Sequence, residues 1–404
     1  MKIAYLHQYF NPGTGATGSR SYEFAKRLVA AGHDVHMIAA RSSEAHTSAG
    51  WQVETVDGIT VHWCSVPYSN RMSFRRRILA FVQFAALSAR RARSVRADLV
   101  FATSTPLTII LPARFATLFR RTPIVFEVRD LWPTMPIALG VLKNPVMIGI
   151  AKALEKWAYR SARRVVALSP GMRDGVIARG YPAERIEVIP NSCDLADFQR
   201  VSDEAVTAWR SSHEWLGDRP LIVYCGTFGL VNGVEYLAEV AAAAAQLNPE
   251  LRFVAMGDGA RREAVRERAQ ELGVLDSNFF ILSPVPKAQV PVVFAAATVS
   301  TSLFIPVKEM EANSANKFFD GLAAGRPIAI NYGGWQAEAL TESGAGIVLS
   351  ADDHQSAARR LVNLVSDEAE LRRKRAAASH LASAFSRDVL AQKFISTLED
   401  ARHT

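Results

Sequence analysis

The first 41 residues, MKIAYLHQYFNPGTGATGSRSYEFAKRLVAAGHDVHMIAAR, contain the pattern that decides the fold. Ile3–Leu6 is a short apolar run typical of a buried strand, and apolar residues at helical spacing predict a helix over 21–31. Gly32 ends that helix, and 35–39 reads as a second strand. The loop between the first strand and the helix contains Gly13, Gly15 and Gly18. This order of strand, turn, helix and strand is a βαβ unit, which requires a parallel sheet.

The same alternation continues along the chain and then starts again. After a polar stretch over 202–219, a strand at 221–224 leads into a second glycine turn and an alanine-rich helix over 234–246. Further strands are predicted at 99–102, 124–128, 164–168, 186–189, 251–256, 278–282, 297–303 and 327–331. The two occurrences of this pattern favour an α/β protein with two Rossmann-like, doubly wound parallel-sheet domains. One dehydrogenase domain with an appended domain is the alternative.

Composition excludes several classes of protein. The chain has 404 residues, 49% of them hydrophobic and 21% charged, which fits a soluble globular protein and excludes a wholly disordered chain. No run of 18 uncharged apolar residues occurs, and the apolar run near the N-terminus is too short for a secretory signal. Three widely spaced cysteines, Cys64, Cys193 and Cys225, form neither a disulfide framework nor a metal cluster. We therefore expect a cytoplasmic protein.

Charge is distributed unevenly. The net charge is +8, but residues 1–198 carry +12 and residues 199–404 carry −4. Between Arg71 and Arg96 lie eight arginines and no acid, around the apolar run 78–87. A basic apolar helix suits the surface of an anionic membrane, while a buried helix with arginine-rich ends is the alternative. The arginines proposed to face the membrane or acceptor are Arg75, Arg76, Arg77, Arg90 and Arg91. Few aromatic residues are interleaved, so nucleic acid is not expected as a partner.

Both glycine turns precede helices, whose N-termini attract phosphate groups. The first is not a dinucleotide fingerprint, because the second strand ends in Ala39, Ala40 and Arg41 rather than in an acid. Each turn alone is weak evidence, since glycine clusters also mark ordinary turns. After the strand at 124–128, Arg129 and Asp130 could orient a sugar or a leaving phosphate, or could form a structural ion pair.

The segment 309–327, EMEANSANKFFDGLAAGRP, predicts a helix that Ser314 or Asn313 caps and that runs to about residue 324. Lys317 lies in its first turn, where the helix dipole disfavours a cation. A bound diphosphate would explain this lysine, and Asp320, one turn on, could accept hydrogen bonds from ribose hydroxyls. A solvated helix face is the alternative.

These motifs together resemble those of family-4 retaining glycosyltransferases of the GT-B fold, in particular bacterial surface-polysaccharide enzymes of the L-fucosamine and colanic-acid type. The matching residues are HQYFNP with its glycine loop, AAGHDV, FEVRDLWP, VIPNSCD, GTFG, MGDG and NKFFDGLAAGRPIAI. They cover about 320 positions in the expected order.

The resemblance implies two domains facing a cleft. Residues 1–198 with 385–404 would bind the acceptor, and residues 199–384 the nucleotide-sugar donor. It further implies a retaining transfer from a UDP-sugar to a polyprenyl-diphosphate-linked glycan. No D-x-D metal motif stands at a strand end, so we expect no obligatory metal. The enzyme would then lie at the inner face of the cytoplasmic membrane.

The resemblance also assigns site residues. Donor-binding positions would be Gly13, Gly15, Gly18, Gly226, Thr227, Gly229, Asn232, Val285, Asn316, Lys317 and Asp320. Catalytic positions would be Lys317, Arg129, Asp130, Glu309 and Glu311.

Three departures from the family pattern stand out. Thr227 and Asn232 occupy places where the family often has Arg and Lys. Ala312 occupies the place of the first Glu of the E-x7-E motif, with Glu309 and Glu311 near it. Arg129 replaces the histidine of the family's His-Asp pair.

Two other functions compete with transfer. A nucleotide-sugar epimerase or hydrolase would explain the glycine turns but not the basic apolar helix. A non-catalytic sugar-binding protein would not need Lys317 and Asp320 together. We therefore expect a glycosyltransferase.

Overall fold

The structure, a computed structural model, describes residues 1–12, 20–41, 50–66, 72 and 74–403. The chain divides into one unit formed by Met1–Pro190 with Leu390–Thr404 and a second formed by Asn191–Val389. Gly13, Gly15 and Gly18 lie outside the described residues, as does Arg71.

The first unit contains an eight-stranded sheet covered by helices. Its strands are β1 (Lys2–Leu6), β2 (Asp34–Arg41), β3 (Gln52–Val56), β4 (Ile59–Ser65), β5 (Leu99–Thr103), β6 (Ile124–Val128), β7 (Arg164–Ala167) and β8 (Ile186–Val188). Its helices are α1 (Arg20–Ala30), α2 (Phe74–Val95), α3 (Ile110–Ala116), α4 (Thr134–Ala138), α5 (Pro145–Ser161) and α6 (Pro170–Ala178). The strand order is β3-β4-β2-β1-β5-β6-β7-β8, parallel except for the pair β3 and β4.

Strand β1 lies where the direction of the strand order reverses. Its Leu6 pairs in register with Ile38 of β2 on one side and with Ala102 of β5 on the other. The chain builds outward from β1 through β2 and returns to its other side with β5. Ligands of open α/β sheets bind at the carboxyl ends of the strands at such a reversal.

The second unit repeats the design with a six-stranded parallel sheet ordered β11-β10-β9-β12-β13-β14. Its strands are β9 (Leu221–Cys225), β10 (Arg252–Met256), β11 (Phe279–Leu282), β12 (Val299–Ser302), β13 (Ile328–Ile330) and β14 (Gly346–Val348). Its helices are α7 (Leu195–Gln199), α8 (Asp203–Ser211), α9 (Glu235–Ala245), α10 (Arg262–Glu271), α11 (Val290–Ala296), α12 (Asn316–Ala323), α13 (Trp335–Ser343), α14 (His354–Ser366) and α15 (Glu368–Ala384). Here the order reverses between β9 and β12.

The last helix, α16 (Arg387–His403), begins in the second unit and continues in the first. Its Phe394 is fully buried in the core of the first unit, with ring centroids 4.8 Å from Phe24 and 4.9 Å from Phe101. The C-terminal residues are therefore part of the core that the N-terminal residues build.

Candidate active site

In the second unit, the second glycine turn packs backbone against backbone on the loop that follows β10. Gly226 N donates to Met256 O at 2.9 Å, and Phe228 N donates to Asp258 O at 2.9 Å. A Cβ added to Gly257 would lie 1.8 Å from Gly226 O, so only glycine fits there. These backbone contacts with the loop after β10 fix the position of the turn, which follows β9 at the reversal of strand order.

Two residues predicted to bind the donor take part in hydrogen bonds within this turn. Asn232 is buried, and its Oδ1 accepts a hydrogen bond from Gly229 N at 3.3 Å. Thr227 is exposed, and its carbonyl accepts a hydrogen bond from the Tyr224 hydroxyl at 2.7 Å. These contacts fix the shape of the turn.

Lys317 lies directly over this turn. A Cβ on Gly226 would lie 2.8 Å from Lys317 Cε. The ammonium lies 5.0 Å from the centroid of the Tyr224 ring and 6.0 Å from that of Phe304, within the range of cation–π attraction. No carboxylate of the described residues lies within ion-pair distance of it. Burial lowers the pKa of Lys317 to about 8, so a nearby anion would stabilise its charged form.

Asp320 follows Lys317 on α12 by one turn. Burial is the largest effect on this carboxyl and raises its pKa to about 7. Arg387 opposes that effect and Asp194 adds to it. These two residues form an ion pair, Arg387 Nε to Asp194 Oδ2, of 2.8 Å. Asp320 therefore changes charge near neutral pH.

The predicted cap of α12 is wrong. The residue before the helix is Ala315, and no side chain caps it. Ser314 Oγ instead accepts a hydrogen bond from Asn191 N at 3.0 Å, so its oxygen is used by the segment 191–194. The first turn of α12 consequently keeps its N–H groups uncapped.

The other residues of the second unit that were predicted as site residues lie before α12, at its start or in the loop after β11. Glu311 pairs with Lys308 at 2.5 Å, and both belong to the short helical turn Lys308–Ala312. Glu309 lies in the same turn and has no partner among the described residues. Asn316 is exposed at the start of α12, and Val285 is half-buried in the loop after β11.

In the first unit, Arg129 and Asp130 lie immediately beyond β6. Arg129 Nη1 lies 3.3 Å from His7 Nε2, and its backbone N donates to Ser104 Oγ at 3.0 Å. Asp130 Oδ2 accepts a hydrogen bond from Thr105 Oγ1 at 3.0 Å, and burial raises the pKa of this carboxyl. Arg129 and Asp130 do not form the structural ion pair that the sequence left open.

The ion pair in this region is one that sequence reasoning missed. Arg20, the first residue of α1, donates from Nε and Nη2 to Glu127 Oε1 at 3.0 and 2.9 Å. Glu127 Oε2 accepts from Thr103 Oγ1 at 2.6 Å, and both charged side chains are buried. The pair links the start of α1 to the end of β6, the strand that immediately precedes Arg129.

Helix α2 has one buried face and one exposed face. Ala80, Phe84 and Ser88 are buried, while Leu79, Val82 and Leu87 are exposed. The exposed apolar residues form a stripe along α2. Arg75 and Arg76 are exposed before this stripe and Arg90 is exposed after it, whereas Arg77 and Arg91 are half-buried. The Arg91 guanidinium lies 5.1 Å from the centroid of the Trp51 ring. Both sequence readings of this helix, a membrane face and a buried helix with arginine-rich ends, therefore stay open, since one face is buried and the other is exposed.

Models of two known families match this chain. The model described as a glycosyl transferase 4-like domain matches residues 15–192, and the model described as glycosyl transferases group 1 matches residues 206–380. The chain is a glycosyltransferase.

Individual proteins and solved structures agree with that assignment. This glycosyltransferase is 25% identical over 295 residues to the colanic acid biosynthesis glycosyl transferase WcaI of Escherichia coli, covering 70% of this chain and 72% of WcaI. The fold matches HepE of Anabaena, solved in complex with UDP and glucose, with a TM-score of 0.75 at 18% identity over 99% of this chain and 100% of HepE. It also matches WaaG, involved in lipopolysaccharide biosynthesis, with a TM-score of 0.73 at 16% identity over 98% and 99%. Its fold is GT-B.

Two structural features are absent from the residues of the glycosyltransferase that the structure describes. No three or more His, Cys, Asp and Glu side chains are grouped so that they could hold a metal ion. No helix in the described part of the chain is long and apolar enough to cross a membrane.

Proposed function

We propose that this glycosyltransferase moves a sugar, a hexose or an N-acetylated amino or deoxyamino sugar, from a UDP-sugar to a lipid-linked glycan in the synthesis of a bacterial surface polysaccharide. The observation that carries the donor class is the position of Lys317 over the Gly226 turn, with Asp320 one helical turn away. The similarity to WcaI and the UDP bound to HepE support the pathway and the base.

The chemistry follows from where charge develops. As the bond between the sugar and the diphosphate breaks, the diphosphate gains negative charge. Lys317 and the uncapped N–H groups of α12 are fixed in place before the reaction, so they stabilise the departing diphosphate more than the intact donor. Asp320 would accept hydrogen bonds from the ribose hydroxyls, and Val285 would meet the base through its backbone.

Glu309 is the better of the two candidates for contact with the donor sugar. Glu311 is already paired with Lys308, whereas Glu309 has no partner among the described residues. We expect Glu309→Gln to lower kcat more than Glu311→Gln does. Equal losses in the two variants would contradict this choice.

Calorimetry tests the donor site. We expect the protein to bind UDP more tightly than GDP in the presence of EDTA, and Lys317→Ala and Asp320→Asn each to lose affinity tenfold or more. Arg372→Ala, which removes an exposed cation of the same unit, is the control and should bind normally. Binding of NAD, or of neither diphosphate, would overturn the assignment. Loss of turnover on EDTA treatment would overturn the metal-free mechanism.

The stereochemical outcome is tested separately. We expect the product to keep the anomeric configuration of the donor, with the acceptor hydroxyl attacking from the side of the leaving diphosphate. The coupling constant of the anomeric proton of the product, measured by NMR spectroscopy, distinguishes retention from inversion.

The acceptor is proposed to be membrane-borne, with the enzyme at the inner face of the cytoplasmic membrane. Beyond the exposed stripe of α2, Phe115 is exposed and Phe119 is 93% exposed just after α3. Arg93 links α2 to the end of α3 and the residues that follow it, because its guanidinium donates hydrogen bonds to the carbonyls of Phe115 and Leu118 at 3.2 and 3.0 Å. Exposed apolar groups bordered by arginines match an anionic bilayer surface.

Vesicle sedimentation tests this surface with a matched pair of variants. Val82 on α2 and Val53 on β3 are 51% and 53% exposed, and both belong to the first unit. We expect Val82→Glu to weaken binding to phosphatidylglycerol vesicles severalfold and Val53→Glu to leave it unchanged. Equal binding of the native chain to phosphatidylcholine vesicles, or no effect of Val82→Glu, would contradict the proposed membrane face.

A further inference from the structure

Two buried side chains directly after β1 have polar atoms that lack hydrogen-bond partners among the described residues. His7 is 3% exposed and Gln8 is 1% exposed. The Nδ1 of His7 and both amide atoms of Gln8 make no hydrogen bond in the described part of the chain. Buried polar atoms of native proteins nearly always have partners, so these three atoms need an explanation.

The backbone holds both residues firmly. His7 N donates to Ile38 O at 3.1 Å, and Gln8 O accepts from Ala40 N at 3.1 Å, which extends the pairing of β1 with β2. Because the two residues are part of this ladder, their side chains project from a rigid element. Such elements place functional groups more accurately than loops do.

Arg129 decides which nitrogen of His7 carries the proton. A guanidinium can only donate hydrogen bonds, so His7 Nε2 accepts from Arg129 Nη1 across the 3.3 Å between them. Burial, with the charge of Arg129 adding to it, holds the pKa of His7 well below its usual range, so the ring is neutral. A neutral ring that accepts at Nε2 has its proton on Nδ1. His7 therefore presents a buried N–H donor that has no acceptor in the described residues.

The place of this donor in the fold is the reversal of strand order in the first sheet. β1 leads into His7 and Gln8, its neighbour β5 leads into Ser104 and Thr105, and β6 leads into Arg129 and Asp130. The polar residues after three adjacent strands thus share one sheet edge, where ligands of this architecture bind.

We propose that His7 donates a hydrogen bond from Nδ1 to a hydroxyl of a sugar bound by the first unit, with Gln8 as a second contact and Arg129 as the positioning residue for the His7 ring. The inference rests on the proposed function and adds residues to it. A neutral donor together with an amide that can both donate and accept suits hydroxyl groups, which also do both. The hydroxyl belongs either to the transferred sugar or to the acceptor sugar.

Two substitutions of His7 separate the hydrogen bond to the sugar from the contact with Arg129. The amide of Asn reaches the Nδ1 position of histidine, so His7→Asn keeps a donor there. The longer Gln reaches the Nε2 position, so His7→Gln can still accept from Arg129 but has no donor at Nδ1. Gln8→Met removes both amide atoms at similar volume.

Kinetics of these variants test the proposal. The donor probes are UDP-glucose and UDP-N-acetylglucosamine, the acceptor probe is farnesyl-diphosphate-linked N-acetylglucosamine, and release of UDP is measured. We expect His7→Gln and Gln8→Met to lower kcat/KM about tenfold or more, His7→Asn to remain within about threefold, and UDP affinity to stay unchanged in all three. Equal losses in His7→Asn and His7→Gln, or no loss in His7→Gln, would overturn the proposal.

The two sources of the hydroxyl give different results. If His7 contacts the transferred sugar, His7→Gln also slows release of UDP when water is the only acceptor. If His7 contacts the acceptor sugar, that background hydrolysis is unchanged and only transfer to the acceptor probe falls. Either result supports the hydrogen bond from His7.

A spectroscopic measurement on the full chain needs no substrate. In long-range ¹H–¹⁵N spectra of protein with labelled histidines, we expect His7 to show a protonated Nδ1 and a bare Nε2, and the signal to be absent from His7→Gln. A proton on Nε2, or on both nitrogens, would overturn the inference even if the protein transfers sugar. Failure of the native protein to bind UDP would instead overturn the proposed function, whatever the tautomer.

Discussion

At the scale of single residues, burial brings the pKa values of both Lys317 and Asp320 close to neutral pH. Asp320, raised to about 7, loses its charge as the pH falls below that value, and Lys317, lowered to about 8, loses its charge above that value. Both are charged only between the two. We therefore expect kcat/KM for the UDP-sugar to peak between pH 7 and 8 and to fall on both sides.

The alkaline side of this profile has a direct control. Lys317→Arg keeps the positive charge at every accessible pH, because arginine does not lose its proton there. The decline above pH 8 should therefore disappear in this variant while the decline below pH 7 remains. An unchanged alkaline limb would show that another group titrates.

Gly257 offers a second prediction at this scale. A methyl group there would collide with Gly226 O, so Gly257→Ala should displace the glycine turn, destabilise the protein by roughly 1–3 kcal/mol and weaken UDP binding at least tenfold. Gly149→Ala on α5, where nothing lies within 4 Å of the added carbon, should instead stabilise by about 0.5–1 kcal/mol. Thermal unfolding and calorimetry measure the two effects.

The sequence predicted the helix α12 but not the contacts made by the residues around its start. Spacing alone placed Lys317 and Asp320 one helical turn apart. It could not show that Ser314 Oγ accepts a hydrogen bond from Asn191 N instead of capping α12, because the two residues are 123 positions apart in the sequence. His7 was missed for a similar reason, since its partner Arg129 comes from another strand.

At the scale of secondary-structure elements, the buried pair of Arg20 and Glu127 joins α1 to β6. Arg20→Met would leave the Glu127 carboxylate buried without a cation, and we expect it to lower the free energy of unfolding of the first unit by about 3–5 kcal/mol. Lys2→Met, which breaks an exposed pair with Asp34, should cost about 1 kcal/mol or less. Urea denaturation compares the variants, and similar losses in both would contradict a structural role for the buried pair.

Most strands were predicted from apolar runs, but β3, β4 and β14 were not. β4 is buried over most of its seven residues, yet its apolar residues alternate with Thr60 and His62 instead of forming a run. β3 is almost entirely exposed, so it has no apolar pattern, although the turn that follows it was readable. Asp57 and Gly58 separate β3 from β4, and both adopt positive φ, +48° and +80°. Two-residue hairpin turns with positive φ at both positions commonly have the sequence Asp-Gly. β14 has only three residues.

At the scale of the whole molecule, the division into two α/β units was predictable because the strand–turn–helix pattern occurs twice. The structure places residues 191–198 and 385–389 in the second unit, where sequence had grouped them with the first. The reason is a set of contacts between the two segments: Arg387 N donates to Cys193 O at 2.9 Å, and Arg387 pairs with Asp194. Such pairing between distant segments leaves no local signal.

The contribution of the C-terminus to the first unit gives a further prediction. Phe394→Ala should open a cavity beside Phe24 and Phe101 and lower the free energy of unfolding of the first unit by about 3–5 kcal/mol. UDP binding, which we assign to the second unit, should persist at temperatures where the first unit has unfolded. Val389→Ala, an exposed position of the same helix, is the control.

Because Leu390–Thr404 completes the first unit, the order of synthesis matters. The first 190 residues of a nascent chain leave the ribosome before Phe394 and its neighbours, which fill part of their core, have been made. About two hundred intervening residues, made at roughly 5–20 per second, impose a delay of about 10–40 s. During that delay the residues of the first unit present apolar surface to chaperones.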